Sequence, residues 1–392
     1  MKISYITMQF PAPSETFASN DVKTLKQLGI DIDIYSLKNY HTDAKQIIED
    51  RNLNGLNMYS ISKQDFFVGL VECIKNFSLF LNILIWSIKS DYNKPKFLLK
   101  ILALIPASFY ILKQLEKRRP DVVHLFWGHY PSLVAYLVKK RLKNTKLSIF
   151  LGAYDLEYSL GISKYICKVA DNIFTHTNIN IKSLEKLGAS KKKINVIYRG
   201  TVIDTTIKIV QKEPHTFCTG GRLLLSKNFE QVIEVFYNYQ LSVPQSKLTI
   251  FGDGPNKQKL IDLVNSLGIN GKVHFTGFIN QKEVLNVLSF SEFFLFFSIK
   301  KGERLPNVIK EAMLQECITV STYTPGLDEL IIDNENGFIL KELNMEYILN
   351  LLTSLDESQK DKLKFNGKEY IMKNFDVNLS MKKYINIWKE NE

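Results

Sequence analysis

Apolar and polar positions along this chain follow two alternating rhythms. Lys2–Thr7 is a short apolar run ending in a polar loop. From about Phe17 a helical period places Phe17, Val22, Leu25 and Leu28 on one side. Gly29 closes that helix, and Ile30, Ile32 and Ile34 alternate with Asp31 and Asp33 as a strand. Further apolar segments at Val122–Phe126, Leu147–Leu151 and Asn172–Thr175 read as strands. The second half repeats the rhythm, with strands predicted at Thr216–Thr219, Lys247–Phe251, Val273–Thr276, Phe293–Phe297 and Ile318–Ser321. Helical segments separate them, and Gly or Pro marks most junctions. This succession predicts an α/β protein with parallel sheets covered by helices on both faces.

A length of 392 residues exceeds what one core usually serves, so two domains are expected, with the polar stretch Gly200–Pro214 as the linker. Cys73, Cys167, Cys218 and Cys317 lie far apart and form no metal-ligand cluster or disulfide framework, which fits a reducing cytosol. The apolar start Met1–Thr7 is too short for a signal peptide. The 51 basic and 40 acidic residues leave a net charge of +11. No nucleic-acid recognition motif accompanies that excess, so no nucleic-acid partner is expected. Over half of it falls between Leu70 and Pro120, beside the apolar runs Phe77–Ile88 and Phe97–Leu112, and neither run is long enough to span a bilayer. Two readings of residues 70–120 stay open: a pair of core helices, or a peripheral contact with an anionic membrane surface.

Candidate chemistry gathers where strands of the second half run into helices. Gly302–Met313 follows the strand Phe293–Phe297. Pro306 suits a first helical turn, whose free N–H groups and dipole favour an anion. Glu303 precedes that helix and Glu311 lies along it, so one carboxylate can meet a sugar and the other a ribose. Gly220-Gly221-Arg222 and Lys227 occupy a second such junction. There the glycines admit a ligand to the backbone, and two cations can stabilise a departing diphosphate without a metal ion. Gly252 and Gly254 make a tight turn after a third strand, lacking both the third glycine of a dinucleotide fingerprint and the G-K-[ST] of a P-loop. Thr276-Gly277-Phe278 offers amides and a ring to a nucleobase. In open α/β sheets ligands bind at the carboxyl ends of strands, and all four junctions are of that kind.

These residues together resemble the family 4 retaining glycosyltransferases, which have the GT-B fold of two Rossmann-like domains facing a central cleft. The resemblance rests on Gly221-Arg222-x4-Lys227, Phe251–Pro255, Thr276-Gly277-Phe278, Glu303-x7-Glu311, Pro325-Gly326-x-x-Glu329 and Asn336-Gly337-Phe338. It implies an N-terminal acceptor-binding domain (residues 1–205) and a C-terminal nucleotide-sugar domain (206–375). It also implies a last segment (376–392) whose helix, about Leu379–Lys389, packs back on the first domain. Arg222 and Lys227 would hold the donor diphosphate with the backbone of Leu305, Pro306 and Asn307, Glu303 would contact the transferred sugar, and Glu311 the ribose. Pro13–Phe17 replaces the glycine-rich loop of many members and resembles a subgroup that assembles bacterial surface polysaccharides. Ser14, Glu15 and Thr16 therefore count as acceptor-side candidates. Leu151 stands where many members carry a histidine; His129, Tyr154 and Asp155 are the alternatives on that side, although His124 and His129 also read as satisfied histidines in turns.

The implied activity is transfer of a sugar from a nucleoside diphosphate to a hydroxyl of a lipid-linked or oligosaccharide acceptor. Glu303, Arg222, Lys227 and His129 are the catalytic candidates, with no cofactor and no metal, in the cytoplasm or on the inner face of the membrane. Three other readings compete. One is a metal-dependent transferase using Asp31-Ile32-Asp33, although the strand pattern turns both aspartates to solvent. Another is a sugar-nucleotide epimerase, and the last a non-catalytic nucleotide-sugar-binding subunit, for which Leu151 is the supporting feature.

Overall fold

The computed structural model describes residues 1–13, 15–203, 211–300 and 302–390. Ser14, the predicted domain boundary at 205/206 and part of the predicted linker lie outside the described residues. The chain divides into two compact units, Met1–Gly200 with Val377–Glu392, and Thr201–Asp376.

In the first unit seven parallel strands form one sheet: β1 (Lys2–Thr7), β2 (Asp31–Ser36), β3 (Asn57–Tyr59), β4 (Val122–Phe126), β5 (Lys146–Phe150), β6 (Asn172–Thr175) and β7 (Ile194–Val196). Their spatial order is β3-β2-β1-β4-β5-β6-β7, a doubly wound sheet that reverses direction between β1 and β4. Both sheet faces are covered, so β4 is buried at every position. One core lies under the helices Ile105–Arg118 and Ser132–Arg141, where Ile111, Leu112, Leu133 and Leu137 meet Ile149 and Ile173. The opposite core holds helix Thr16–Gln27, which ends at Gly29 (φ +79°). Helix Val377–Lys389 belongs to this face. Trp388 is fully buried there, donates to Ser148 Oγ (2.9 Å) and packs edge-on to Phe174.

The second unit repeats the plan with six parallel strands: β8 (Glu213–Gly220), β9 (Lys247–Phe251), β10 (Val273–Gly277), β11 (Ser291–Phe296), β12 (Ile318–Thr322) and β13 (Phe338–Leu340). Their order is β10-β9-β8-β11-β12-β13, reversing between β8 and β11. Phe217, Phe293, Leu248 and Val320 of the sheet pack on Phe236, Leu260 and Ile348 of the surrounding helices.

Several expectations need correction. Glu213 and Pro214 begin β8 rather than end a linker, because β8 pairs with β11 from Glu213 onward. Asp33 does not face solvent: it is buried, ion-paired to Arg118 (2.6 Å), and accepts from Asn57 Nδ2 (2.9 Å). Arg118 also binds Asp31 (2.9 Å), so one guanidinium engages both aspartates of the D-x-D letters. His124 lies within β4, not in a turn. Its Nδ1 meets Ser148 Oγ at 2.9 Å, and burial with the charge of Arg199 lowers its pKa to about 3, keeping the ring neutral.

Residues 70–120 form four helices together with their immediate neighbours: Lys63–Lys75, Phe77–Asp91, Pro95–Ala103 and Ile105–Arg118. Ile105–Arg118 is a core helix, whereas the other three leave large apolar side chains exposed. Among the described residues no single helix is long and apolar enough to cross a membrane.

Candidate functional site

The second unit assembles its candidate residues on the loops that leave β8, β9, β10 and β11 at their carboxyl ends. Backbone hydrogen bonds tie these loops to one another. Gly221 N–H donates to Phe251 O (3.0 Å), Leu223 N–H to Asp253 O (2.9 Å) and Gly252 N–H to Gly277 O (2.8 Å). Glycine is required at the closest approach. Gly252 has φ +114°, and a Cβ there would lie 2.0 Å from the carbonyl oxygen of Gly221.

Across the reversal between β8 and β11, Lys227 Nζ forms an ion pair with Glu303 Oε1. The side chains are only 14% and 16% exposed. Ser298 Oγ donates to the other oxygen, Glu303 Oε2, at 2.7 Å. Ile299 N–H donates to Ser226 O (3.0 Å), fastening the loop after β11 to the turn that carries Lys227. Lys227 Nζ also sits 4.8 Å from the centre of the Phe296 ring. Its position is thereby fixed by a carboxylate and an aromatic face. Arg222 is exposed on the same loop and makes no side-chain hydrogen bond or ion pair among the described residues.

Pro306 is the N-cap of helix Asn307–Leu314 rather than a residue of its first turn, because its ψ of 132° is extended. Its carbonyl accepts from Ile309 N–H (3.2 Å), and the amides opening the helix have no carbonyl ahead of them within it. Leu305, just before, is buried and held at φ +47°, an uncommon conformation for a side chain of this size. Glu311 lies on this helix, partly buried. Burial raises its pKa above the usual carboxylate value, opposed by a hydrogen bond from Gln281 and by the charge of Lys310. Gln281 begins the helix that follows the β10 loop, so Glu311 connects to the segment bearing Phe278. The Phe278 ring is 85% exposed, an aromatic face left open to solvent.

The first unit carries a comparable bridge. Trp127 Nε1–H, after β4, donates to Glu15 Oε1 (3.0 Å), after β1, again across the reversal of strand order. Burial raises the pKa of Glu15, opposed by the Trp127 hydrogen bond and by the charges of Arg199, His129 and Arg51. Arg199 is stacked on rings: its guanidinium carbon lies 4.2 Å from the Phe17 ring centre and 4.1 Å from that of Phe150. Asp155 is buried. It accepts from Gly128 N–H (2.9 Å) and Gly152 N–H (3.2 Å), and its Oδ1 lies 3.3 Å from His129 Nδ1. It therefore positions the turn bearing His129 instead of presenting a carboxylate outward. Tyr154 is exposed, with its ring centre 5.4 Å from that of His129, and Thr16 opens helix Thr16–Gln27. Leu151 is fully buried in the core.

The structure thus joins Lys227 to Glu303, ties the loops of Gly221, Gly252 and Gly254 together, and gathers Glu15, His129, Tyr154 and Asp155 within the first unit. Ser298, Gln281, Trp127 and Arg199 are participants that sequence reasoning missed. Only Trp127 left a signal, as an aromatic residue immediately after a strand beside His129.

Residues 204–370 match the family model described as glycosyl transferases group 1. An uncharacterized glycosyltransferase of Methanocaldococcus jannaschii is 25% identical over 291 residues, covering 71% of each chain. A Campylobacter jejuni enzyme named N-acetylgalactosamine-N,N'-diacetylbacillosaminyl-diphospho-undecaprenol 4-alpha-N-acetylgalactosaminyltransferase is 25% identical over 205 residues, covering 51% of this chain and 54% of its own. Among solved structures, Anabaena HepE in complex with UDP superposes with a TM-score of 0.73 at 14% identity, covering 100% of both chains, a likeness of fold. With the group 1 model matching its second unit and this architecture throughout, the chain is a glycosyltransferase with the GT-B fold.

Proposed function

We propose that this enzyme transfers a sugar, with retention of anomeric configuration and without a metal ion, from a nucleoside diphosphate sugar to a hydroxyl of a lipid-linked or oligosaccharide acceptor in bacterial surface-polysaccharide assembly. The observation that carries the donor half is the Lys227–Glu303 contact across the reversal of the second sheet, with Ser298 on the remaining carboxylate oxygen. A cation and a carboxylate so paired suit a diphosphate and the hydroxyls of the sugar attached to it.

In this reading Arg222 and Lys227 bind the diphosphate together with the backbone N–H groups of Leu305 and Asn307, with Pro306 shaping the turn between them. Gly221, Gly252 and Gly254 allow the backbone to approach it, and Phe278 stacks on the base. Glu311 accepts hydrogen bonds from the ribose hydroxyls. Such donors favour the ionised carboxylate and offset the burial that opposes it. The bond from the anomeric carbon to the phosphate oxygen breaks as the acceptor oxygen bonds to that carbon from the same face. The departing phosphate takes the acceptor proton, and its growing charge is stabilised by the two cations, of which Lys227 is held in place by Glu303. Glu15, Thr16, His129 and Tyr154 form the acceptor side, with Asp155 holding His129; the lipid-linked acceptor is suggested by the undecaprenol-linked substrate in the name of the Campylobacter relative.

The test begins with a thermal-shift screen of UDP-, GDP-, ADP- and TDP-sugars, in which a ligand at ~100 times its dissociation constant stabilises by about 2.7 kcal/mol. The stabilising donor is then incubated with lipid-linked and oligosaccharide acceptors, and the product's anomeric configuration is read by NMR. Stabilisation by no donor, or an inverted product, contradicts the proposal.

A further inference from the structure

The first unit carries a surface that the transfer chemistry does not use. Helix Lys63–Lys75 is fastened to helix Ile105–Arg118 through Gly69, where a Cβ would lie 2.1 Å from the carbonyl oxygen of Pro106. Its opposite face bears Phe67, Leu70, Val71 and Ile74, all exposed and within an arc of roughly 100° at 100° per residue. Ile74 is 74% exposed. The next helix, Phe77–Asp91, buries Ile83, Ser87 and Asp91. Asp91 is tied down by the N–H groups of Gly161 (2.7 Å) and Ile162 (3.0 Å). On its outer face Phe77, Leu81, Ile85 and Ile88 form a second exposed stripe at helical spacing. The two helices bend by 102° at Asn76, and the stripes run up to that corner from either side, ending in Ile74 and Phe77. Leu99, 70% exposed on helix Pro95–Ala103, lies between the exposed Lys96 and Lys100.

Charge identifies the occupant. Lys63, Lys75, Lys89, Lys96 and Lys100 are exposed on these three helices. Each carboxylate of the same helices is engaged: Asp65 in the Ser62 cap, Glu72 with Lys113 and Lys75, and Asp91 on backbone amides. A second copy seated here would set lysine against lysine. An apolar face fringed by cations, with the carboxylates of its own three helices already occupied, matches acyl chains beneath anionic headgroups. We propose that the outer faces of Lys63–Lys75 and Phe77–Asp91 dock in the headgroup region of an anionic lipid bilayer, seating the first unit on the membrane. The bend, together with inner faces already packed on the first unit's own core, makes this a surface contact, not a span. The inference draws on nothing in the donor site, so its failure leaves the transferase reading untouched.

The test is co-sedimentation of the full chain with vesicles of phosphatidylcholine alone and of an equimolar mixture with phosphatidylglycerol. Wild type is expected to pellet with the anionic vesicles and to release as salt rises from about 0.05 to 0.5 M. Ile74→Asp/Ile85→Asp, and independently Lys96→Glu/Lys100→Glu, should each weaken binding by at least about tenfold. Both pairs sit at exposed positions, so donor-induced thermal shifts should stay unchanged and report intact folding. Failure to bind anionic vesicles at low salt, or binding by both variants equal to wild type, overturns the proposal. A vesicle-free dimer that Ile74→Asp/Ile85→Asp dissociates overturns it too, by assigning the face to a second copy.

Discussion

Replacing Lys227 with Met separates a catalytic role from a structural one, because the structure sets a different magnitude for each. The Lys227 and Glu303 side chains are largely but not wholly buried, at 14% and 16% exposure. Breaking such a pair should cost between the ~0–1 kcal/mol of a surface ion pair and the ~3–5 kcal/mol of a fully buried one. About 1–2 kcal/mol is the reasonable value, since Ser298 still donates to Glu303 Oε2. In a unit of this size that lowers Tm by roughly 2–8 °C. A cation directed at the departing diphosphate is worth much more in rate, about 10²–10³-fold in kcat, or roughly 2.7–4 kcal/mol. The assay is therefore kcat at saturating donor, with Tm measured alongside. Lys227→Met should lose at least about a hundredfold in kcat, and Lys227→Arg should recover part of it by restoring the charge. A Lys227→Met enzyme with lowered Tm but kcat within about threefold of wild type would show that the lysine merely braces Glu303, and the reasoning would fail.

Other outcomes follow from the same geometry. Gly252→Ala places a Cβ 2.0 Å from the Gly221 carbonyl at φ +114°, and should destabilise by about 2–4 kcal/mol. Gly268→Ala, at φ +69° with nothing within 4 Å, should cost only about 1 kcal/mol; equal costs in denaturant titrations would refute the close-approach argument. Because burial raises the folded pKa of Glu311 above its ordinary 4.5, ionising it opposes folding. Its contribution is favourable below the unfolded pKa and is lost as pH rises through the folded one. Glu311→Gln should therefore stabilise the free enzyme above the ordinary carboxylate range and flatten that part of Tm against pH, while weakening donor binding. A variant with an unchanged profile would count against the buried, ionisable Glu311. Transfer should also persist in excess chelator, and a loss restored by added divalent cation would exclude the metal-independent reading.

Much of the architecture was legible because buried parallel strands write continuous apolar runs. β4, β6 and β9 coincide with the predicted Val122–Phe126, Asn172–Thr175 and Lys247–Phe251. β3, β7 and β13 are three residues long, too short to establish any period. The candidate positions of the second unit were legible because strand-to-helix junctions concentrate Gly, Pro and charge. Their partners were not, since Lys227 and Glu303 are 76 positions apart and Ser298 has no distinguishing neighbour in sequence. Alternation misled at Asp33, where Arg118 and Asn57 compensate a buried carboxylate that the strand pattern turns outward. Residues 70–120 stayed ambiguous because hydropathy cannot tell which helix face is covered. Gly69 against Pro106 decides that question for Lys63–Lys75, and it does so only in three dimensions.

The most direct measurement is a crystal structure of the enzyme soaked with the nucleoside diphosphate chosen by the thermal-shift screen. The account predicts phosphate oxygens within about 3 Å of the Arg222 guanidinium and the Lys227 ammonium, with the ribose hydroxyls on Glu311 and the base against Phe278. A diphosphate bound away from the loops that follow β8 and β11, with Arg222 and Lys227 unengaged, would contradict it.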